Sequence, residues 1–146
     1  MSKPRILFID DEEIVLRSCR RIFASSDYEI DTAQSGEEGL SKAINGDYDI
    51  VVTDLKMPGI GGMEVLSRLR KVRPDTTVII FTGYASVDTA REALKNGAFD
   101  YIPKPFTPEE MREVIKNALE ARAGKERNML DLMAIVSHEL KSPLSA

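Results

Sequence analysis

Residues 47–56 read DYDIVVTDLK, and the run Ile50-Val51-Val52-Thr53 inside them decides the fold. It is short, β-branched and almost wholly apolar, as a strand must be when helices cover both of its faces. A second run of the same kind, TVIIF, occupies residues 77–81. Working outward, RILFI at 5–9, YEIDTA at 28–33 and FDYI at 99–102 complete a set of five. Helix-period segments alternate with them: 12–25, 37–45, 63–73, 87–96 and 108–123. Five short strands alternating with five helices predict an α/β fold, a parallel sheet wrapped on both faces. Right-handed crossovers make a flavodoxin-like, doubly wound five-stranded sheet the simplest topology.

Local signals agree with that pattern. Ser35-Gly36-Glu37-Glu38 and Thr107-Pro108-Glu109-Glu110 match a capping box, and the second adds proline at the first helical position. Asn96-Gly97 stands where the fourth helix should stop. Asp10 or Asp11 is expected to cap the first helix. Cys19 falls in the apolar set Val15, Cys19, Ile22 and Phe23 at helical spacing, so it reads as a buried, inert thiol.

With 146 residues, 42% hydrophobic and 30% charged, the chain has room for one domain with a real core and a short appendage. A net charge of −4 argues against a nucleic-acid surface, and a single cysteine excludes an internal disulfide. No apolar run approaches the ~20 residues needed to span a bilayer, and MSKPRILFIDDEE is a strand start, not a signal peptide. The expected location is cytoplasmic, with no membrane contact in this fragment.

In an open parallel sheet the carboxyl ends of all strands lie along one edge. Asp10 and Asp11 follow the first strand, Asp54 the third and Lys104 the fifth, so three carboxylates and one ammonium should meet there. Crowded carboxylates raise one another's pKa unless a cation sits among them. An oxygen-only donor set suits a hard ion, above all Mg²⁺, which keeps water ligands and recruits phosphate oxygens. Phosphoryl transfer is the chemistry indicated. Singly, each acid would read as a helix cap or a solvated loop residue; the constellation carries the reading.

These features resemble the receiver domain of two-component response regulators, over roughly residues 1–122. The resemblance rests on Asp10-Asp11, on Asp54 within TDLKMPGIGG, on Thr82 within IIFTGY and on Lys104-Pro105 within YIPKPF. It implies that Asp54 accepts a phosphoryl group from phosphohistidine on a histidine kinase or phosphotransfer protein. It further implies that Asp11, Asp54 and the backbone carbonyl of Lys56 ligate Mg²⁺, with Asp10 acting largely through water. Lys104, next to a cis Pro105, would pair first with Asp54 and then with the phosphoryl group. Thr82 and Tyr101 would report the event to the surface formed by the fourth helix, fifth strand and fifth helix. Lys56 and Tyr84 would tune the lifetime of the phosphate.

A second resemblance lies beyond it. Residues 123–146 read as a helical linker and extension, with a bend expected at Gly124 and a stripe of Met129, Met133, Val136 and Leu140. Ser137 to Leu144, SHELKSPL, resembles the phosphoacceptor motif of sensor histidine kinases. That makes His138 a candidate second phosphoacceptor with Glu139 as its base, and Pro143 a kink after it. The second helix of a kinase hairpin and a nucleotide-binding lid are missing, so this chain is not expected to be an autonomous ATP-dependent kinase. A longer parent would be a hybrid protein-histidine kinase, and a homodimer through the fifth and C-terminal helices is an expected assembly. Two readings compete: a phosphate-independent pseudo-receiver acting as a binding and dimerisation module, and a Mg²⁺ phosphatase of the haloacid dehalogenase type. The second fits poorly, because its nucleophile belongs in an Asp-x-Asp after strand one, whereas this chain has Asp10-Asp11-Glu12.

Overall fold

A computed structural model describes residues 3–83 and 85–124 of the chain. Strands β1 (Arg5–Ile9), β2 (Glu29–Ala33), β3 (Ile50–Thr53), β4 (Thr77–Thr82) and β5 (Asp100–Pro103) alternate with helices. The helices are α1 (Glu13–Ile22), α2 (Gly36–Asn45), α3 (Gly62–Val72) and α4 (Val87–Lys95). A fifth, α5, begins at residue 108 and is helical as far as it is described, through 124. All neighbouring strands are parallel, in the order β2-β1-β3-β4-β5. This is the flavodoxin-like order expected from the alternation. Tyr84, the stripe from Met129 to Leu140, His138 and Glu139 lie outside the described residues. Gly124, the expected bend, is still helical.

The two faces of the sheet are legible in β1. Ile6, Leu7, Phe8 and Ile9 are all fully buried, and alternate residues enter opposite cores. Leu7 and Ile9 pack with Leu40, Leu66, Leu69 and Ala93, from α2, α3 and α4. Ile6 and Phe8 pack with Leu16, Cys19, Met111 and Ile115, from α1 and α5. Each large apolar side chain removed from water contributes about 1.5–3 kcal/mol, so the central strands anchor the domain. Cys19 is fully buried, as its helical spacing requires. None of the described helices is long and apolar enough to cross a membrane.

Helix ends follow the sequence with two corrections, the first being that Glu38 does not close the box on Ser35, because its carboxyl accepts from Gln34 N–H instead. Thr107 and Glu110 form both bonds of a capping box. Ser35 accepts from Glu38 N–H, and Asn96 ends α4 ahead of Gly97, whose φ is +101°. Neither Asp10 nor Asp11 is the cap of α1: that position is Glu12, which makes no side-chain cap bond. Asp10 accepts from the Glu12 N–H at 2.9 Å instead, outside the helix and inside the site.

Candidate functional site

The sheet ladder does not stop at the last strand residue. Asp10 N–H donates to Ala33 O at 3.1 Å, Asp54 N–H to Ile9 O at 2.9 Å, and Lys104 N–H to Thr82 O at 2.8 Å. Each site residue is thus held by one more rung beyond its strand, and the pleat brings the side chains to the carboxyl edge. Burial follows: Asp10 is 0% and Asp54 5% exposed, whereas Asp11 is exposed. One oxygen from each of Asp10, Asp11 and Asp54 can be chosen so that all lie within 4.8 Å of one another.

Lys104 joins the two buried acids. Its Nζ lies 2.5 Å from Asp10 Oδ2 and 3.3 Å from Asp54 Oδ2, and 4.8 Å from the centroid of the Phe81 ring. The pair with Asp54 that the resemblance implied is present, and Asp10 is the closer partner beside it. The physical reason is depth: Asp10 is the wholly buried acid and needs a counter-charge most. The remaining oxygens are satisfied by backbone, with Glu12 N–H on Asp10 Oδ1 and Leu55 N–H on Asp54 Oδ1 at 2.7 Å. The Lys104–Pro105 bond is cis.

Electrostatics record the crowding. Burial raises the Asp10 pKa above its ordinary 3.8, and the Lys104 bond and the Glu12 N–H only partly offset it. Burial would lower the Lys104 pKa, but the bond and charge of Asp10, then those of Asp54, outweigh it and hold the ammonium above 10.5. An ion pair alone would depress Asp10; desolvation wins because this carboxylate is wholly buried. Three hard oxygen donors in excess of one ammonium fit a divalent hard cation, with Asp11 on the exposed side where water ligands can remain.

Around this centre, Thr82 ends β4 and is fully buried, and exposed Lys56 follows Asp54 on the loop 55–61. Tyr101 on β5 is half-buried, its hydroxyl 2.7 Å from Thr89 Oγ1. Thr89 was not singled out by sequence. It is the third residue of α4 and also accepts from Ser86 N–H, completing a capping box in which threonine replaces the usual acid or amide. The motif Ser86-x-x-Thr89 was the available signal. Two further residues missed were Glu37, which accepts from Ile60 N–H, and Phe81 beneath the ammonium.

A family model described as the response regulator receiver domain matches residues 6–116. The chain is similar to the regulatory protein AtoC of Escherichia coli (strain K12), 38% identical over 122 residues that cover 84% of this chain and 26% of that protein. It thus spans well under two thirds of that relative. Among solved structures it is similar to a CheY-like response regulator receiver domain protein from Methanospirillum hungatei JF-1, with TM-score 0.82 and 35% identity over 85% of this chain and 99% of that one. It is also similar to the response regulator TrrA of Thermotoga maritima in complex with Mg(2+)-BeF, with TM-score 0.72 and 36% identity over 79% of this chain and 98% of that one.

Proposed function

From membership of the response regulator receiver domain family, to which this chain belongs, we propose that it accepts a phosphoryl group on Asp54 from a phosphohistidine donor. One observation carries the reading: Asp54, 5% exposed, sits beside the Lys104 ammonium and within the Asp10–Asp11 oxygen cluster. An Asp54 carboxylate oxygen attacks phosphorus, the new O–P bond forms as the N–P bond to histidine breaks, and the leaving nitrogen keeps the electron pair and takes a proton. The product is an acyl phosphate.

Asp11, Asp54 and the Lys56 carbonyl would hold Mg²⁺, with Asp10 acting through water. When bound, Mg²⁺ neutralises the acids and the transferring oxygens. Lys104 turns its ammonium from the acids to the phosphoryl oxygens as a compact charge. Thr82 and Tyr101 relay the change: a phosphoryl group draws Thr82, and Tyr101 exchanges its bond to Thr89 for the space released. The surface of α4, β5 and α5 then shifts between two packings. The complete acid set speaks against the phosphate-independent pseudo-receiver.

The finer reading extends to residues 123–146. The SHELKSPL match supports a kinase phosphoacceptor helix with His138 as acceptor and Glu139 as base, governed by the receiver through α5. The family match ends at residue 116, so this part rests on the motif alone. Domain limits of 1–122 and 123–146, and dimerisation through α5 and the following helix, belong to the same proposal.

Intact mass after incubation with acetyl phosphate tests the function. The wild type should gain one phosphoryl group with Mg²⁺ and none with chelator, and Asp54→Asn should gain none. An adduct that survives in Asp54→Asn would move the chemistry to Asp10, Asp11 or His138.

A further inference from the structure

The segment 55–61 links Asp54 to α3 and carries Lys56. Its near end is fixed by backbone, with Gly62 N–H donating to Leu55 O at 2.9 Å. Its far end meets α2. There Glu37 Oε1 accepts from Ile60 N–H at 2.9 Å, a contact between residues 23 apart in sequence. Both elements are shaped for it. A Cβ on Gly59, where φ is +79°, would stand 2.2 Å from Glu37 Oε1, and one on Gly36 would stand 2.2 Å from Ile60 O.

The bland reading is that an acid in the first turn of a helix serves the helix itself. The capping of α2 is already done by other residues. Ser35 accepts from Glu38 N–H, and Glu38 Oε2 accepts from Gln34 N–H at 3.1 Å. Glu38 also reaches Lys42 at 3.5 Å. Glu37 reaches across to the loop, and the Ile60 N–H first, then its own backbone N–H, hold its carboxyl below the usual range although the side chain is exposed.

We propose that Glu37 is a positioning residue for the phosphoryl-transfer site: by tethering Ile60 it holds the 55–61 loop, and with it the Lys56 carbonyl, ready for the cation. The inference rests on the phosphoryl-acceptor reading above. A ligand on a loop that is free to move must be ordered when the ion binds, which costs conformational entropy; a tethered loop has lost that freedom beforehand. The bond is N–H to oxygen, so a neutral acceptor of the same shape should serve. The tether needs an oxygen and not a charge.

Three variants test this: Glu37→Ala, Glu37→Gln and Glu38→Ala. Because Glu37 is exposed, its truncation leaves the core untouched. Three quantities are read: the Mg²⁺ dissociation constant by titration calorimetry, hydrogen exchange of the Ile60 amide without metal, and phosphorylation by acetyl phosphate against Mg²⁺ concentration. Glu37→Ala should weaken Mg²⁺ binding about tenfold, as loss of outer support does. It should also speed Ile60 exchange and raise the half-saturating Mg²⁺ by the same factor, with the maximal rate kept. Glu37→Gln should match the wild type on all three, and Glu38→Ala should keep wild-type Mg²⁺ affinity. Wild-type affinity in Glu37→Ala, or Glu37→Gln as weak as Glu37→Ala, would overturn the proposal while leaving the functional reading intact. Failure of the wild type to bind Mg²⁺ or to take the phosphoryl group would overturn both.

Discussion

The two ends of the sheet treat charge in opposite ways. At the amino end Asp49 and Asp47 each have their own cation or donor. Asp49 takes Arg5 N–H at 2.8 Å with one oxygen and the Arg122 guanidinium at 3.4 Å with the other, and Asp47 faces Arg73 at 3.3 Å. Arg122, coming from α5, also donates to Asp75 O and Thr77 Oγ1. At the carboxyl end three acids converge, and Lys104 bridges the two that are buried. Matched and partly wet charges tie elements together and do little else. Acids in excess of their one ammonium hold a surplus of negative charge that a divalent cation can neutralise, which is how a site differs from a clamp.

Substitutions at the two ends should behave accordingly. The largest effect belongs to Gly62→Ala, whose Cβ would stand 2.2 Å from Asp54 O, a backbone atom that cannot yield. We expect about 3 kcal/mol of lost stability, measured by urea unfolding, together with loss of phosphoryl acceptance. Next comes Lys104→Met, which leaves Asp10 and Asp54 without their ammonium. The metal-free protein should lose about 2–3 kcal/mol at neutral pH, the cost of buried acids without a partner.

The pH dependence sharpens that second case. Because the folded pKa of Asp10 lies above 3.8, the fold binds its proton more readily than the unfolded chain does. The penalty of its charge is present at neutrality and falls away as pH drops through the folded pKa towards 3.8, so the deficit of Lys104→Met should shrink in acid. Lys104 also has a raised pKa, so its stabilisation is whole below 10.5 and is lost as pH rises through the folded value. Alkaline unfolding should therefore show a loss in the wild type that Lys104→Met lacks.

At the other end, Arg122→Ala should cost about 1 kcal/mol, the same with and without Mg²⁺, and leave phosphorylation by acetyl phosphate unchanged. A Mg²⁺-dependent cost there would break the contrast between the ends. The smallest effect is expected of Cys19, whose thiol burial pushes up to about 12. Native protein should resist a thiol reagent and react only as denaturant unfolds it.

Strand order, both cores and the strand-end placement of Asp10, Asp54, Thr82 and Lys104 were legible in the sequence, because hydrophobic period and chain connectivity determine them. Side-chain partners were not. That Lys104 lies nearer Asp10 than Asp54 depends on relative depth, which a strand-end position does not encode. Glu38 was read as closing its capping box on Ser35, but its carboxyl reaches Gln34 N–H, one residue earlier. The tethers Glu37 to Ile60 and Tyr101 to Thr89 join separate elements through single hydrogen bonds, and no local pattern announces them.

The most direct test of the central claim is to locate the phosphoryl group. After treatment with acetyl phosphate and Mg²⁺, borohydride reduction of the acyl phosphate followed by peptide sequencing should find homoserine at position 54 alone. Homoserine at position 10 or 11, or at none of the three, would contradict the account.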